Sequence, residues 1–145
     1  HLLPQGPRHM VLDPWREAVR AAGGNPDDHR VGLIRSVFVT DDPERDWAPI
    51  KAAERYRMSV YARFSGETPD NLAALQDPKS SIPQGWVVGD EDHCVAELTG
   101  YIRDHGITDL VTWGAAPGMP PSLMNGSLER YITGVIPRVR AAIEG

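Results

Sequence analysis

The sequence lacks the features that would place the protein outside the cytoplasm or on nucleic acid. Its 145 residues include one cysteine, Cys94, which excludes an internal disulfide and a cysteine-based metal site. No apolar run approaches the roughly 20 residues that span a bilayer, and the first ten residues do not follow the order of a signal peptide. A net charge of −5 opposes nucleic-acid binding, which depends on clustered basic residues. We expect a cytoplasmic protein with no membrane or nucleic-acid partner.

Motifs that carry chemistry are also scarce. The five histidines include no pair at the i, i+4 spacing of a helical metal site. The sequence has no Walker phosphate loop, no dinucleotide glycine pattern and no Gly-x-Ser-x-Gly elbow. We therefore predict no metal and assign no catalytic residue from motifs. Cys94 is expected to be a small buried apolar residue.

The composition is typical of one globular domain over residues 1–145, with 41% hydrophobic and 24% charged residues. Residues 31–40 and 108–113 are apolar and β-branched, which predicts two buried strands. Capping residues, prolines and glycines predict helices around them. These helices are expected over residues 13–23, about 43–64, about 90–105, and from 122 onward with a kink or break at Pro137. Parallel strands joined by helices make an α/β fold.

Apolar spacing predicts which helix faces are buried. In the first helix the predicted buried residues are Trp15, Ala18, Val19 and Ala22. In the second they are Trp47, Ile50, Ala53, Tyr61 and Phe64. The acidic residues at the start of the second helix, Asp41, Asp42, Glu44 and Asp46, are interpreted as helix-capping groups.

Two segments are candidates for a ligand pocket. Residues 65–85 contain prolines, glycines and polar groups, and are expected to form a lid-like loop. Residues 113–121, WGAAPGMPP, follow the second strand at the place where α/β folds carry ligand-facing loops. That segment is either a rigid connection or part of a pocket wall. Gln5, in a similar Pro/Gly turn, either faces solvent or offers its amide to a planar polar ligand.

Three stretches together resemble the C-terminal portion of bacterial luciferase-like flavin monooxygenases. They are SVFVTDDPERDWA, VVGDEDHCVAELTGYIRDHGITDLVTWGAAPGMP and LERYITGVIPRVR. Within them, residues 106–110 (GITDL) resemble a strand motif of that family, residues 117–119 (PGM) its following loop, and residues 135–139 (VIPRV) its final helix.

The resemblance implies a (β/α)8 TIM barrel, of which this chain would supply about the last three strands. Residues 1–3 would end one strand, and residues 31–40 and 108–113 would form the others. The barrel is therefore expected to be incomplete as given and the chain by itself to be inactive. The resemblance also implies FMN: reduced flavin and oxygen would oxygenate a small organic substrate in a dry pocket. Some members of the family use a deazaflavin coenzyme and transfer hydride without oxygen.

The resemblance implies positions for site residues and no catalytic roles. Leu3, Gln5, Trp113 and Met119 fall where strand ends and the following loops would face the cofactor ring or the substrate. The parent protein is predicted to be a flavin-dependent monooxygenase, with flavin and substrate as partners and with a homo-oligomer left open. Two alternatives are a deazaflavin-dependent hydride-transfer oxidoreductase and a non-catalytic α/β interaction module.

Overall fold

The structure is a computed structural model that describes residues 8–66 and 85–145. Helices and strands alternate along these residues. The α-helices are α1 (Arg8–Ala21), α2 (Pro43–Ser65), α3 (Glu91–His105), α4 (Pro121–Arg130) and α5 (Ile136–Glu144). The strands are β1 (Gly32–Val39), β2 (Trp86–Gly89) and β3 (Asp109–Trp113). A short 3₁₀ turn, Pro26–Asp28, precedes β1, and a π-helical turn, Tyr131–Val135, joins α4 to α5.

The three strands form a parallel sheet in the order β2-β1-β3. Residues 32–36 of β1 pair with β3, and residues 36–39 pair with β2. The two predicted strands are confirmed, and they are neighbours in the sheet. The sequence analysis did not predict β2, whose four residues are too few to show a hydrophobic period.

Successive residues of β1 point to opposite faces of the sheet and pack against different helices. The core cluster on the α3 and α5 side consists of Leu33, Val37, Val39, Cys94, Leu98, Ile102, Ile107, Val135 and Val139. The cluster on the α2 side consists of Phe38, Trp47, Ile50, Ala53, Val88, Ala116 and Met119. Helices therefore cover both faces, and β1 is buried between them.

The predicted α/β class with parallel strands and alternating helices is confirmed, and the three-stranded sheet is compatible with part of a (β/α)8 barrel. Two details of this sheet differ from a closed barrel and are typical of an open sheet. In a closed barrel each strand lies beside the next one in sequence, whereas here β3 pairs with β1 and not with β2. A barrel also carries its helices outside, whereas α2 and α3 lie on opposite faces of this sheet.

Helix α2 has nearly the predicted bounds, and three of the five residues on its predicted buried face are buried. The Asp42 side chain caps the first turn by accepting from the Arg45 N–H. Trp47, Ile50 and Ala53 are buried, whereas Tyr61 and Phe64 are exposed. The prediction for those two aromatics is wrong because the 23 residues of α2 span about 34 Å, more than the about 26 Å of the eight-residue strand beneath it.

Helix α1 begins earlier than predicted. It covers Arg8–Ala21, so Asp13 does not cap it and Pro14 lies inside it. Its fully buried side chain is Leu12, whereas Ala18 and Ala22, which were predicted to be buried, are exposed. The proline that suited a helix start misled the prediction, because the apolar residues before it continue the helix backwards.

The last predicted helix is divided, as Pro137 led us to expect. Proline lacks an N–H and its ring clashes with the carbonyl four residues earlier, here that of Thr133. The π-helical turn Tyr131–Val135 ends immediately before Ile136 and Pro137, and α5 then continues. Single π turns are often found at functional sites.

Leu98 in α3 is almost completely buried in the cluster on the α3 side. Leu98→Ala is expected to lower the free energy of unfolding by about 2–5 kcal/mol, because it removes buried methyl groups and leaves a cavity. As a control, Phe64→Ala truncates a residue that is 84% exposed, and a change below about 0.5 kcal/mol is expected. Chemical denaturation measures both values, and equal losses would contradict the described packing.

Candidate functional site

The carboxyl ends of the strands carry the candidate site. A cavity of about 240 Å³ opens beside the end of β1, between the start of α2 and one face of α4. In open α/β sheets, ligands bind outside the carboxyl ends of the strands. The residues that line the cavity are Phe38, Val39, Thr40, Asp41, Arg45, Asp46, Ser122, Leu123, Gly126, Ser127 and Arg130.

Ser127 joins α4 to the end of β1. Strand β3 stops opposite Ser36, so the Val39 N–H has no β3 residue to bind. The Val39 N–H instead donates to Ser127 Oγ at 2.8 Å in a buried hydrogen bond. An unpaired buried N–H is costly, so this serine replaces the missing strand partner and holds α4 over the cavity.

The buried Asp46 carboxylate lies at the centre of a polar cluster at the start of α2, in which the Arg45 side chain is largely exposed. The Thr40 hydroxyl donates to Asp46 Oδ2 at 2.6 Å, and Arg45 donates from Nε to Oδ1 and from Nη2 to Oδ2, each at 2.7 Å. The Arg45 guanidinium holds the pKa of the Asp46 carboxyl below its ordinary value, the Thr40 hydroxyl adds to this, and burial acts in the opposite direction. Asp46 is therefore an ionised, fully bonded carboxylate. Of the acidic residues interpreted as capping groups, Asp42 makes the side-chain cap, and Glu44 and Asp46 lie in the first turn of α2 as predicted. The contacts of Asp46 with Thr40 and Arg45 were not predicted.

Arg130 connects the ends of β1 and β2. Its Nη2 donates to Asp41 Oδ1 at 2.7 Å and its Nε donates to Glu91 Oε1 at 3.1 Å. The hydrogen bond to Asp41, followed by that to Glu91, raises the Arg130 pKa. Glu91 lies against the π-helical turn, where a Cβ on Gly134 would come within 2.5 Å of its Oε2. A glycine at position 134 therefore leaves room for the carboxylate that orients Arg130.

Two of the four predicted site residues lie among the described residues, and neither lines this cavity. Trp113 ends β3 and is 45% exposed. Met119 is buried in the cluster on the α2 side, after the predicted turn at Gly118, whose φ is +85°. Leu3 and Gln5, like most of the predicted 65–85 loop, lie outside the described residues. The pocket role of all four residues stays a prediction.

The sequence analysis missed the residues that carry the polar contacts of this cavity, namely Thr40, Arg45, Asp46, Ser127 and Arg130. The position of Thr40 directly after a buried strand was the available signal, because side chains at that point face the ligand edge of a sheet. Ser127 and Arg130 gave no local signal, since their contacts are with residues about 90 positions away.

The cavity at the end of β1 is by itself too small for a whole flavin or deazaflavin. Pockets for cofactors usually hold about 300–1,000 Å³, and this cavity is smaller, at about 240 Å³. We derive no hydride-transfer step from it. Burial raises the pKa of the Cys94 thiol to about 11, so Cys94 is not a thiolate nucleophile at neutral pH, and its predicted burial is confirmed.

Two further features are absent from residues 8–66 and 85–145. Over these ranges no group of three or more His, Cys, Asp or Glu side chains is placed to hold a metal ion. None of the helices described there is both long enough and apolar enough to cross a bilayer.

Among known proteins, one has a distant sequence similarity to this chain. No protein-family model matches the chain. The sequence is 29% identical over 111 residues, 72% of this chain, to the F420-dependent glucose-6-phosphate dehydrogenase of Mycolicibacterium gilvum (strain PYR-GCK). The match covers 32% of that protein, so the chain spans about a third of the length of its relative. The relative is, by its name, an oxidoreductase.

Ser127→Ala is expected to lower the free energy of unfolding by about 1–3 kcal/mol, because it leaves the buried Val39 N–H without an acceptor. Ser122→Ala is the matched control, since Ser122 is an exposed serine on the same helix. Its effect is expected to stay below about 0.5 kcal/mol. Urea denaturation of the two variants gives the difference, and a harmless Ser127→Ala would show that another group satisfies Val39.

The Asp46 carboxylate makes stability depend on pH. Its pKa is lower in the folded chain than in the unfolded one, where an aspartate titrates near about 3.9. The stabilisation is therefore complete at neutral pH and is lost as the pH falls below about 4 and through the folded pKa. The stability difference between wild type and Asp46→Asn should shrink over that acidic range. Thermal unfolding from pH 7 to 3 tests this, and a constant difference would contradict it.

Proposed function

We propose that this chain forms part of a deazaflavin-dependent oxidoreductase and contributes one wall of its active site. The observation that carries the proposal is the sequence similarity to the F420-dependent glucose-6-phosphate dehydrogenase of M. gilvum. Because F420 is a deazaflavin, this similarity favours the deazaflavin alternative of the sequence analysis over FMN and monooxygenation. When bound, such a coenzyme accepts or donates a hydride.

The geometry at the carboxyl ends of the strands supports the proposal. The cavity lies where parallel α/β folds bind ligands, and its charged lining residues are held by hydrogen bonds before any ligand arrives. Preorganised polar groups bind a ligand without a further cost of ordering. The described residues would bind and orient one end of a ligand, and the remaining contacts would come from residues other than those described.

The substrate is proposed to be a small organic molecule that carries a phosphate. The name of the M. gilvum relative gives a phosphorylated sugar as what that protein oxidises. Two arginines line the cavity of this chain, and guanidinium groups suit the geometry of phosphate oxygens.

A second candidate function is the non-catalytic interaction module. It is favoured by the apolar side chains of Val111 and Trp113, which are 50% and 45% exposed on one edge strand of the sheet. Exposed apolar strands often bind a partner or a second copy. This role requires an assembly, so a monomer in solution that binds coenzyme would exclude it and support the oxidoreductase, whereas an assembly that binds no coenzyme would support the interaction module.

The test of the proposed function is binding and turnover by the protein expressed from its complete reading frame. Fluorescence titration is expected to show F420 bound at least about tenfold more tightly than FMN, a difference of about 1.4 kcal/mol. Reduction of F420 by glucose 6-phosphate, followed by absorbance, is expected to proceed equally well without oxygen. Tighter binding of FMN together with oxygen-dependent turnover would overturn the proposal in favour of a monooxygenase.

A further inference from the structure

The carboxyl-terminal part of α2 has an outward face that combines aromatic and basic side chains. Tyr56 and Arg63 are seven residues apart, close to two helical turns, so they lie in one row, and Arg55 and Phe64 flank this row. Both arginines are exposed, and Tyr56 and Phe64 are 58% and 84% exposed. We call these four residues, Arg55, Tyr56, Arg63 and Phe64, the α2 patch.

Phe64 belongs to the apolar stripe that α2 buries nearer its start. Ile50 and Ala53 on this stripe are 0% and 3% exposed, whereas Tyr61 and Phe64 are 51% and 84% exposed. Single exposed apolar residues are ordinary on a protein surface. Here the aromatic side chains of Tyr56, Tyr61 and Phe64 are all exposed within two and a half turns of one helix. An uncovered aromatic cluster of this type is typical of an interaction site.

The α2 patch is positively charged within an acidic protein. Residues 55–66 contain three arginines and no acidic residue, whereas the whole chain has a net charge of −5. Arg57 is neutralised, because its Nε donates to Glu54 Oε2 at 2.8 Å and Glu54 is buried. Neither Arg55 nor Arg63 forms a hydrogen bond or ion pair with another described residue. Arg63 complements the helix dipole in the last turn of α2, but Arg55 lies outside that turn.

We propose that the α2 patch is a docking surface for an acidic segment of a partner protein. The carboxylates of that segment would pair with Arg55 and Arg63, and its apolar side chains would cover Tyr56 and Phe64. Tyrosine and arginine are enriched at the energetic hot spots of interfaces, and phenylalanine is enriched in interfaces generally. Complementary charge selects the partner and speeds the encounter, while burial of the aromatic rings provides affinity.

Three other occupants fit the α2 patch less well. A symmetric pair of copies joined through this face would bring the arginines of both copies together, and like charges across an interface are unfavourable. Anionic membranes attract clusters of about 4–8 basic residues, and nucleic acid binds through several neutralised phosphates. Two unpaired arginines on a chain with a net charge of −5 provide neither arrangement.

This inference does not rest on the proposed function. No residue of the α2 patch lines the cavity at the end of β1. Substitutions in the α2 patch are therefore expected to leave F420 binding unchanged, and a loss of F420 binding would overturn the inference by placing the patch in the active site. If the wild type binds no F420, the proposed function fails and the result with a partner segment is unaffected.

The experiment is fluorescence anisotropy with the protein expressed from its complete reading frame. The probe is a labelled peptide of about 16 residues, in which leucines at i, i+3 and i+4 spacing are separated by glutamates. A second peptide carries glutamine at every glutamate position. The acidic peptide is expected to bind at least about tenfold more tightly than the uncharged one at about 0.05 M salt. Most of this difference should be lost at about 1 M salt, where the Debye length is about 3 Å.

Substitutions then locate the binding. Arg63→Glu and Phe64→Ala are each expected to weaken binding of the acidic peptide about tenfold or more. Arg140→Glu is the matched control for charge, since Arg140 is an exposed arginine on α5 and its replacement changes the net charge equally. Ile132→Ala is the matched control for an exposed apolar side chain, since Ile132 is 59% exposed. Both controls should bind within about twofold of the wild type.

Several results would overturn the inference. They are no binding of the acidic peptide, equal binding of the two peptides, and an equal loss in Arg63→Glu and Arg140→Glu. Self-association that Phe64→Ala abolishes in light scattering would assign the α2 patch to a second copy instead. Binding to phosphatidylserine vesicles that Arg63→Glu abolishes would assign it to a membrane. A large fall in the melting temperature of Phe64→Ala would show that this side chain is buried within the complete protein, and would also overturn the inference.

Discussion

The described structure depends on strand β1, which is constrained at both of its edges and on both of its faces. This strand is hydrogen-bonded to β2 on one edge and to β3 on the other, and helices cover both of its faces. Every backbone group of such a strand must find a partner within the protein. The β3 ladder ends at Ser36, so the end of β1 would lack a partner on that edge if α4 did not supply one. The Ser127 hydroxyl thus ties α4, and with it the far wall of the cavity, to the end of β1, while Leu123 and Met124 pack against the cluster on the α2 side.

The polar groups at this end of the sheet form two units with a common pattern. In each, an arginine is held by carboxylates that follow a strand: Arg45 by Asp46 after β1, and Arg130 by Asp41 after β1 and Glu91 after β2. A buried carboxylate such as Asp46 is tolerable because both of its oxygens accept hydrogen bonds. Each arginine is thereby held in one orientation at the carboxyl ends of the strands.

The sequence similarity and the geometry bear on function in different ways. The relative is F420-dependent by its name, and its similarity to this chain covers about a third of its own length. The geometry contributes a cavity of about 240 Å³ with polar lining residues. The cavity lies at the carboxyl ends of parallel strands, where open α/β sheets bind ligands. In the described residues the central strand β1 is covered by helices on both faces, whereas Val111 and Trp113 of the edge strand β3 are about half exposed.

Local patterns in the sequence were sufficient to predict most of the helices and strands. The apolar run 31–40 specified β1, the Asp42-Pro43 start specified α2, and Gly106 ended α3. The resemblance to luciferase-like monooxygenases also rests on short stretches of sequence. The similarity to an F420-dependent enzyme agrees with the deazaflavin alternative that this resemblance implied. Tertiary structure alone decided the position of β2, the exposure of Phe64, and the joining of Val39 to Ser127 and of Asp41 to Arg130. The periodicity of a helix or strand shows which face of that one element is apolar. The four features decided by tertiary structure depend instead on contacts between distant segments. Those contacts form only when the sheet and its two helical layers pack together.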